Sequence, residues 1–325
     1  MVKISCNKVL SNHSGSVTVV KYNSDGGYCL SGSSDKSIKL YNVSKGSMIH
    51  SFEEHGYGIG DLVSTSDNKQ LFSCAEKQLY QWDIASGQVI RRFQNAHNDT
   101  ITSVCVNLDS TLLFSGSSDR LVKAWDLRTK SINPVQILDD AKDTITSIIV
   151  NEQTITHNHS HGHGHSHGNN NNNQPHTHTQ KEVITSSVDG CIRTYDVRMG
   201  TLVTYEDTIP ISSVSITKDK KCFIASCTDE TVKLIDIDSY ETLKEYKGHK
   251  NKVYKINSCS NFDDSLIISG SEDNDFYIYE LLSGKLLSKL SGHSNIITHV
   301  DSHPSKNQFI TSSTDCTIRI WDQSE

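Results

Sequence analysis

The sequence predicts an all-β fold: a seven-bladed β-propeller, closed by the N-terminal strand pairing into the last blade. Three observations predict it. First, an acidic residue stands six residues before an aromatic or large apolar one in seven places: Asp35 and Tyr41, Glu76 and Trp82, Asp119 and Trp125, Asp189 and Tyr195, Asp229 and Ile235, Asp273 and Tyr279, Asp315 and Trp321. Second, these aromatic-type positions follow one another at intervals of 40 to 44 residues, save one interval of 70 that holds an insertion. A sustained period of about 40–45 residues is the length of one four-stranded blade. Third, only Gln323-Ser324-Glu325 follows the seventh copy, so the last repeat lacks its fourth strand. Lys3 to Leu10, in contrast, reads as a strand with no blade around it. The first strand is therefore expected to complete the last blade, which leaves no open edge between blades.

Each repeat follows one plan. A histidine opens it, as His13, His55, His97, His249 or His293. A strand such as Ile101-Thr-Ser-Val-Cys-Val106 follows, then a turn such as Asn23-Ser-Asp-Gly-Gly27. The second strand ends in a box like Ser31-Gly-Ser-Ser-Asp35 or Ser115-Gly-Ser-Ser-Asp119. The third strand ends at Trp-Asp or its equivalent, and a Ser-Gly turn leads to the outer strand, as in Gln88-Val-Ile-Arg-Arg-Phe93. Apolar and polar residues alternate between these turns, which is the signature of half-buried strands.

Recurring His, Ser and Asp suggest a catalytic triad, but a triad would occur once and not once per blade. The expected role is structural: a chain of hydrogen bonds through His13 and Asp35, His97, Asp119 and Trp125, His249 and Asp273, and His293, Asp315 and Trp321. A buried Asp at a tight turn needs donors, and an imidazole can relay between it and a hydroxyl. Repeats 4 and 5 break the plan, with Asp140-Ala141-Lys142 and Glu206-Asp207-Thr208 in place of the His. Fewer side-chain hydrogen bonds are expected there.

The whole chain, residues 1–325, is read as one domain. Residues 157–180 are read as a disordered His/Asn-rich insertion in blade 4. This stretch carries half of the chain's 16 His and a run of five Asn. It has no apolar residues to offset the entropy of ordering. The net charge of −7, from 31 Lys and Arg against 38 Asp and Glu, gives no electrostatic case for direct nucleic-acid binding. No apolar run approaches the roughly 18 residues of a membrane span, and residues 1–12 lack the core of a secretory leader. Nine scattered cysteines without a C-x-x-C pair read as reduced thiols of a cytoplasmic protein, also present in the nucleus. With no phosphate loop and no metal-ligand spacing, the chain is read as non-catalytic and without a cofactor.

Four stretches carry a closer resemblance: Gly27-Tyr-Cys-Leu-Ser-Gly-Ser-Ser-Asp-Lys-Ser-Ile-Lys-Leu-Tyr-Asn42, Trp82-Asp-Ile-Ala-Ser-Gly-Gln-Val-Ile-Arg-Arg-Phe93, Val188-Asp-Gly-Cys-Ile-Arg-Thr-Tyr-Asp-Val-Arg-Met-Gly200 and Glu245-Tyr-Lys-Gly-His-Lys-Asn-Lys-Val-Tyr-Lys255. Among WD40-repeat proteins the chain resembles the family of mitogen-activated protein kinase organizer 1, also called the WD repeat domain-containing protein 83 family. The resemblance implies a scaffold for components of an ERK-type MAP kinase cascade, or a subunit of a pre-mRNA splicing complex. Its partners would be proteins, gathered by a monomeric propeller within a larger complex. A third reading is a substrate receptor of a cullin-type ubiquitin ligase, hinted at by Trp125-Asp-Leu-Arg128; Arg128 paired with a neighbouring acid is the structural alternative. In WD propellers, residues three and five after the His and the one before the box acid are expected to be exposed. Here they are mostly small, as with Thr18, Thr102, Thr146, Ser212 and Thr298. Blade 6 differs in having Lys252, Tyr254 and Glu272, so these are the candidate partner-binding residues. Lys252 pairing with Glu272 is the bland alternative.

Overall fold

The structure, a computed structural model, describes residues 3–157, 176–196 and 200–324. Blade 1 consists of β2 (Val17–Tyr22), β3 (Tyr28–Ser33), β4 (Ile38–Asn42) and β5 (Ser47–Phe52). Blade 2 follows with β6 (Ile59–Ser64), β7 (Gln70–Ala75), β8 (Gln78–Asp83) and β9 (Val89–Phe93). Blade 3 has β10 (Ile101–Val106), β11 (Leu112–Ser117), β12 (Val122–Asp126) and the short β13 (Gln136–Leu138). Blade 4 has β14 (Ile145–His157), β15 (His176–Ser187), β16 (Cys191–Asp196) and β17 (Thr201–Glu206). Blade 5 has β18 (Ile211–Ile216), β19 (Cys222–Cys227), β20 (Thr231–Asp236) and β21 (Thr242–Lys247). Blade 6 has β22 (Ser258–Ser260), β23 (Leu266–Ser269), β24 (Asp275–Glu280) and β25 (Leu286–Ser291). Blade 7 contains β26 (Ile297–Ser302), β27 (Gln308–Ser313), β28 (Ile318–Ser324) and, as its outer strand, β1 (Lys3–Leu10).

The closing ladder runs antiparallel from Lys3 opposite Ser324 to Leu10 opposite Ile318, with a bulge between Cys6 and Lys8. Its buried side chains serve two seams. Leu10 packs with Val17, Tyr41 and Ile320 between blades 7 and 1, and Ile4 packs with Phe276 and Trp321 between blades 6 and 7. Seven apolar clusters fill the seven seams, each drawing on two adjacent blades. A single blade is one sheet thick and buries its faces only against its neighbours. The glycine of the Ser-Gly-Ser box makes room for this. A Cβ on Gly32 would lie 2.5 Å from Ile59 Cγ2, and one on Gly116 would lie 2.5 Å from Ile145 Cγ2.

Polar side chains stitch the first strands together around the axis. Lys21 Nζ donates to Asp61 Oδ1 at 2.7 Å, joining blades 1 and 2. Asp61 Oδ2 accepts from Ser103 Oγ and Val104 N, and Ser103 Oγ accepts from Ile148 N. Ser147 Oγ donates to Val214 O, and Ser215 Oγ to Ser258 O. Asn257 takes both the N–H and the carbonyl of Val300, and Asp301 Oδ2 accepts from Tyr22 N at 2.8 Å. Every junction of the ring thus carries at least one such bond. A second tier of hydroxyl groups lies nearer the His-bearing loops. Thr18, Thr102, Thr146, Ser212 and Thr298 donate to the carbonyls of Ile59, Ile145, Ile211, Ile256 and Val17 on the next blade. The expectation that these small residues are exposed is therefore corrected. Their hydroxyls are committed to neighbouring backbone.

The insertion is narrower than the sequence suggested. The β14–β15 ladder continues until His157 stands opposite His176, because Thr154, Ile155, Thr156, Thr177 and Thr179 are β-branched and suit extended backbone. The rest of the predicted disordered stretch, residues 158–175, lies outside the described residues.

Deleting residues 1–12 removes the closing ladder together with Ile4 and Leu10, each contributing about 1.5–3 kcal/mol through burial. The truncated protein should melt several degrees lower by differential scanning calorimetry; an unchanged melt would mean that the ring closes without β1.

Candidate interaction face

The loops that open each blade and the turns that follow the boxes lie together at one end of the first strands. In blade 3 the residues of this face form a complete relay. Trp125 Nε1 donates to Ser115 Oγ at 2.9 Å, Ser115 Oγ to His97 Nε2 at 2.8 Å, and His97 Nδ1 to Asp119 at 3.0 Å. Blade 7 repeats it with Trp321, Thr311, His293 and Asp315. Asp119 also accepts from the amide of Asn98, and Asp315 from that of Ser294. Blade 1 has the same relay from Ser31 through His13 to Asp35. Tyr41 stands in the Trp position, and its hydroxyl has no partner among the described residues. All these donors point towards the carboxylate. Their hydrogen bonds hold Asp35 and Asp315 well below the ordinary carboxylate range and Asp119 at about 2, although burial pushes the other way.

Spacing decides which blades complete the relay. His and acid are 22 residues apart in blades 1, 3 and 7. In blade 2 the box is one residue shorter. Glu76 lies in the two-residue turn between Ala75 and Gln78 with φ at +53°, and no hydrogen bond joins it to His55 among the described residues. His55 keeps Ser73 and, through it, Trp82, while its Nδ1 is unpartnered among the described residues.

In blade 6 the spacing is 24, and the expected bond between His249 and Asp273 does not form. Two extra residues displace the chain ahead of β22. His249 Nδ1 instead meets Tyr279 Oη at 3.2 Å, and Asp273 takes Tyr277 Oη at 2.7 Å and Lys289 Nζ at 2.9 Å. Blades 4 and 5 overturn the expectation of fewer polar bonds. They replace the His with ion pairs buried beside the same turns. In blade 4 Arg193 grips Asp189 with both terminal nitrogens, and Asp189 also accepts from Lys142 N. In blade 5 Lys233 pairs with Asp207, which also accepts from Tyr205 Oη.

Of the candidate partner residues, Tyr254 is 45% exposed, and Val253 next to it is 82% exposed. One carboxylate oxygen of Glu272 is committed to its own loop. Its Oε1 accepts from the amides of Lys252, Val253 and Tyr254 at 2.6–2.9 Å, which fixes the loop that presents Tyr254. Lys252 does not pair with Glu272 but lies 3.4 Å from Glu230 Oε1. Arg128 folds back on Asp126, donating from Nε at 3.0 Å and from Nη2 at 2.8 Å. The structural alternative for Arg128 is thus the observed one. Sequence reading missed Lys21, Asp61, Lys255, His299 and Asp301 on the axis. Their signal was a charged or imidazole residue within otherwise apolar or small first-strand segments, as in Thr298-His-Val-Asp301.

Residues 4–42 and 284–322 match the family model described as WD domain, G-beta repeat. The chain is 34% identical to WD repeat domain-containing protein 83 of Rattus norvegicus over 297 residues, covering 91% of this chain and 85% of the relative. The Homo sapiens protein of the same name is 34% identical over 304 residues, covering 94% and 88%. The Danio rerio protein is 35% identical over 307 residues, also covering 94% and 88%.

The chain belongs to the WD repeat domain-containing protein 83 family.

Residues 61–279, from β6 of blade 2 to β24 of blade 6, also match the family model for the nucleolar protein 10-like N-terminal domain, a β-propeller, and this part of the chain belongs to that family too. For a member of the WD repeat domain-containing protein 83 family, the geometry assigns the His–Ser–Asp sets to blade stability. In blades 3 and 7 the set is closed between its own box, its own Trp and the adjoining loop backbone.

Two measurements test this assignment. Thr311→Val keeps the shape but removes the hydroxyl that joins Trp321 to His293. It should cost about 1–3 kcal/mol in urea unfolding, whereas exposed Arg128→Ala should stay within about 0.5 kcal/mol. Burial lowers His55 to about 3 and His249 to about 4, whereas both would titrate near pH 6.5 when unfolded. The unfolded chain therefore binds more protons below pH 6.5. Stability should be fully present above that pH and should fall between about pH 6.5 and 4, by up to about 1.4 kcal/mol per unit for each group. Unfolding free energies at pH 7.5, 5.5 and 4.5 would reveal this slope.

Proposed function

We propose that this protein is a non-catalytic assembly platform whose partners are protein components of an ERK-type MAP kinase cascade. The observation that carries the reading is the likeness to WD repeat domain-containing protein 83, which extends over at least 91% of the chain and so includes every blade. The geometry accords with it, since the His, Ser or Thr and Asp side chains of the blade 1, 3 and 7 relays are consumed inside the blades. What the ring presents outward is a rigid frame with several faces. The partners would be met mainly in the cytoplasm, with a nuclear fraction also present.

Tyr254 is the anchor proposed for one such partner. It is half-exposed on a loop pinned by Glu272, and interfaces concentrate their energy in a few large side chains, Tyr among them. Affinity purification from separate cytoplasmic and nuclear fractions, with mass spectrometry, tests the whole reading. Kinases of the cascade should dominate the cytoplasmic sample, and Tyr254→Ala should weaken capture of the main partner by about 1–3 kcal/mol without lowering the melt. Recovery of splicing proteins alone, from the nuclear sample, would replace the signalling role with the splicing one. Capture of a cullin adaptor that is lost in Arg128→Ala would favour the ligase role.

A further inference from the structure

At the end of the ring opposite the His-bearing loops, the seam between blades 1 and 2 holds an open groove of about 420 Å³. It is lined by Asp25, Tyr28, Leu40, Ile49, His50 and Ile84 among others. Tyr28 is 40% exposed and Ile49 51%. Ile49 owes its place to a bulge. Leu40 pairs with His50 and Tyr41 with Met48, so Ile49 is the extra residue, and a bulge re-aims a side chain that a regular ladder would place elsewhere. Hydrogen bonds hold both walls. Asn23 Oδ1 accepts from Tyr28 N at 3.0 Å, and Asn68 Nδ2 donates to Ser24 Oγ at 2.8 Å, which ties the turn after β2 to the turn after β6.

Two other seams show what such a groove accepts. His50 stands opposite Leu40, as Arg91 stands opposite Gln81 in blade 2 and Lys244 opposite Leu234 in blade 5. Arg91 crosses to blade 3 with its guanidinium 5.2 Å from the Phe93 ring centre. It donates from Nη2 to Leu127 O and from Nη1 to Ser131 O. The stem of Lys244 lies along blade 6, where a Cβ on Gly284 would be 3.1 Å from its Cδ. His50 is shorter. Its ring packs edge-on against Phe52, with 4.7 Å between centres, and ends over Gly87 of blade 2, where a Cβ would lie 2.1 Å from Nε2. The chain thus covers two seams with its own cationic side chains and leaves this one open.

The open groove keeps the groups that hold such a cation. Ile84 follows Trp82-Asp83 as Leu127 follows Trp125-Asp126, and its carbonyl accepts no hydrogen bond among the described residues. Asp25 is the exposed carboxylate of the rim. Its Oδ1 accepts from Gly27 N at 2.7 Å, which leaves Oδ2 for a further donor. Tyr28 offers a ring on which a planar cation can stack. Leu40, Ile49 and Ile84 suit the methylene stem that carries such a head group.

We propose that the groove between blades 1 and 2 binds an arginine side chain of a partner protein segment. The side chain is held as Arg91 is held at the next seam, with Asp25 supplying the opposite charge and Ile49 meeting an apolar neighbour in the segment. This rests on the reading of the protein as a platform for partners.

The probe is a randomised array of capped hexapeptides read with the full-length protein. Arg should be selected at one position by about tenfold over Gln, with Lys weaker than Arg and Leu, Ile, Val or Met preferred beside it. His50→Arg should fill the groove from within, as Arg91 does at its seam, and lose the selection. Asp25→Asn keeps an acceptor for Gly27 N and should lose the preference for Arg over Gln. Ile49→Ser should lose the apolar preference alone. Equal melts would show that the three variants are folded. A wild-type array that selects no Arg, or Lys equally with Arg, overturns the proposal. So does an Arg preference unchanged in a folded His50→Arg or Asp25→Asn variant. An Arg preference lost in Tyr254→Ala would assign the selection to the other face and overturn it as well. The affinity purification is read separately. A flat array with cascade kinases still recovered removes this groove and leaves the platform, and an Arg-selective array with no partner recovered does the reverse.

Discussion

The pairing of β1 with β28 is the constraint on which the other six blades depend. Each apolar seam is shared by two sheets, so a blade is only half-buried until both neighbours are in place. Ring closure supplies the last neighbour, and it does so by joining residues more than 300 positions apart, such as Leu10 and Ile318. Loop-closure entropy grows only slowly with length, so this long link is affordable once the seams are formed. The same closure brings Asp301 to Tyr22 N and Thr298 to Val17 O, which complete the two polar tiers around the axis.

Within that frame the blades solve one problem in different ways. The turn after each box must hold a carboxylate near buried backbone, and the carboxylate needs donors. Blades 1, 3 and 7 use an imidazole fed by a hydroxyl. Blade 4 uses Arg193 on the box carboxylate Asp189, whereas blade 5 pairs Lys233 with Asp207 of the loop that opens the blade. Blade 6 uses Tyr277 and Lys289 and leaves His249 to Tyr279. These substitutions keep the fold while changing what the face presents. The largest departure, the displaced loop of blade 6, also carries exposed Val253 and Tyr254 and the channel-spanning Lys255.

The seven blades, their order, the missing fourth strand and the residues of the complete relays were all legible in the sequence. Each depends on local periodicity and on short fixed spacings, such as the six residues from acid to aromatic. The separations of 21 and 24 between His and acid stood in the sequence of blades 2 and 6, yet His249 and Asp273 were still expected to bond. What became of them was decided only by the fold, because one residue fewer puts Glu76 in a turn and two more free the loop before β22. The hydroxyls of Thr18, Thr102, Thr146, Ser212 and Thr298 looked like an exposed rim because a sequence shows their size but not which carbonyl lies opposite. Arg193 with Asp189 was hidden for a related reason, since a charged residue inside a strand reads as solvent-facing until the sheet shows which way it points. Lys255 reaches Thr102 across three intervening blade junctions and 153 residues. Hydrogen bonds across the axis have no sequence period at all: the sequence determined the blades, and ring closure alone decided which side chains meet at the centre.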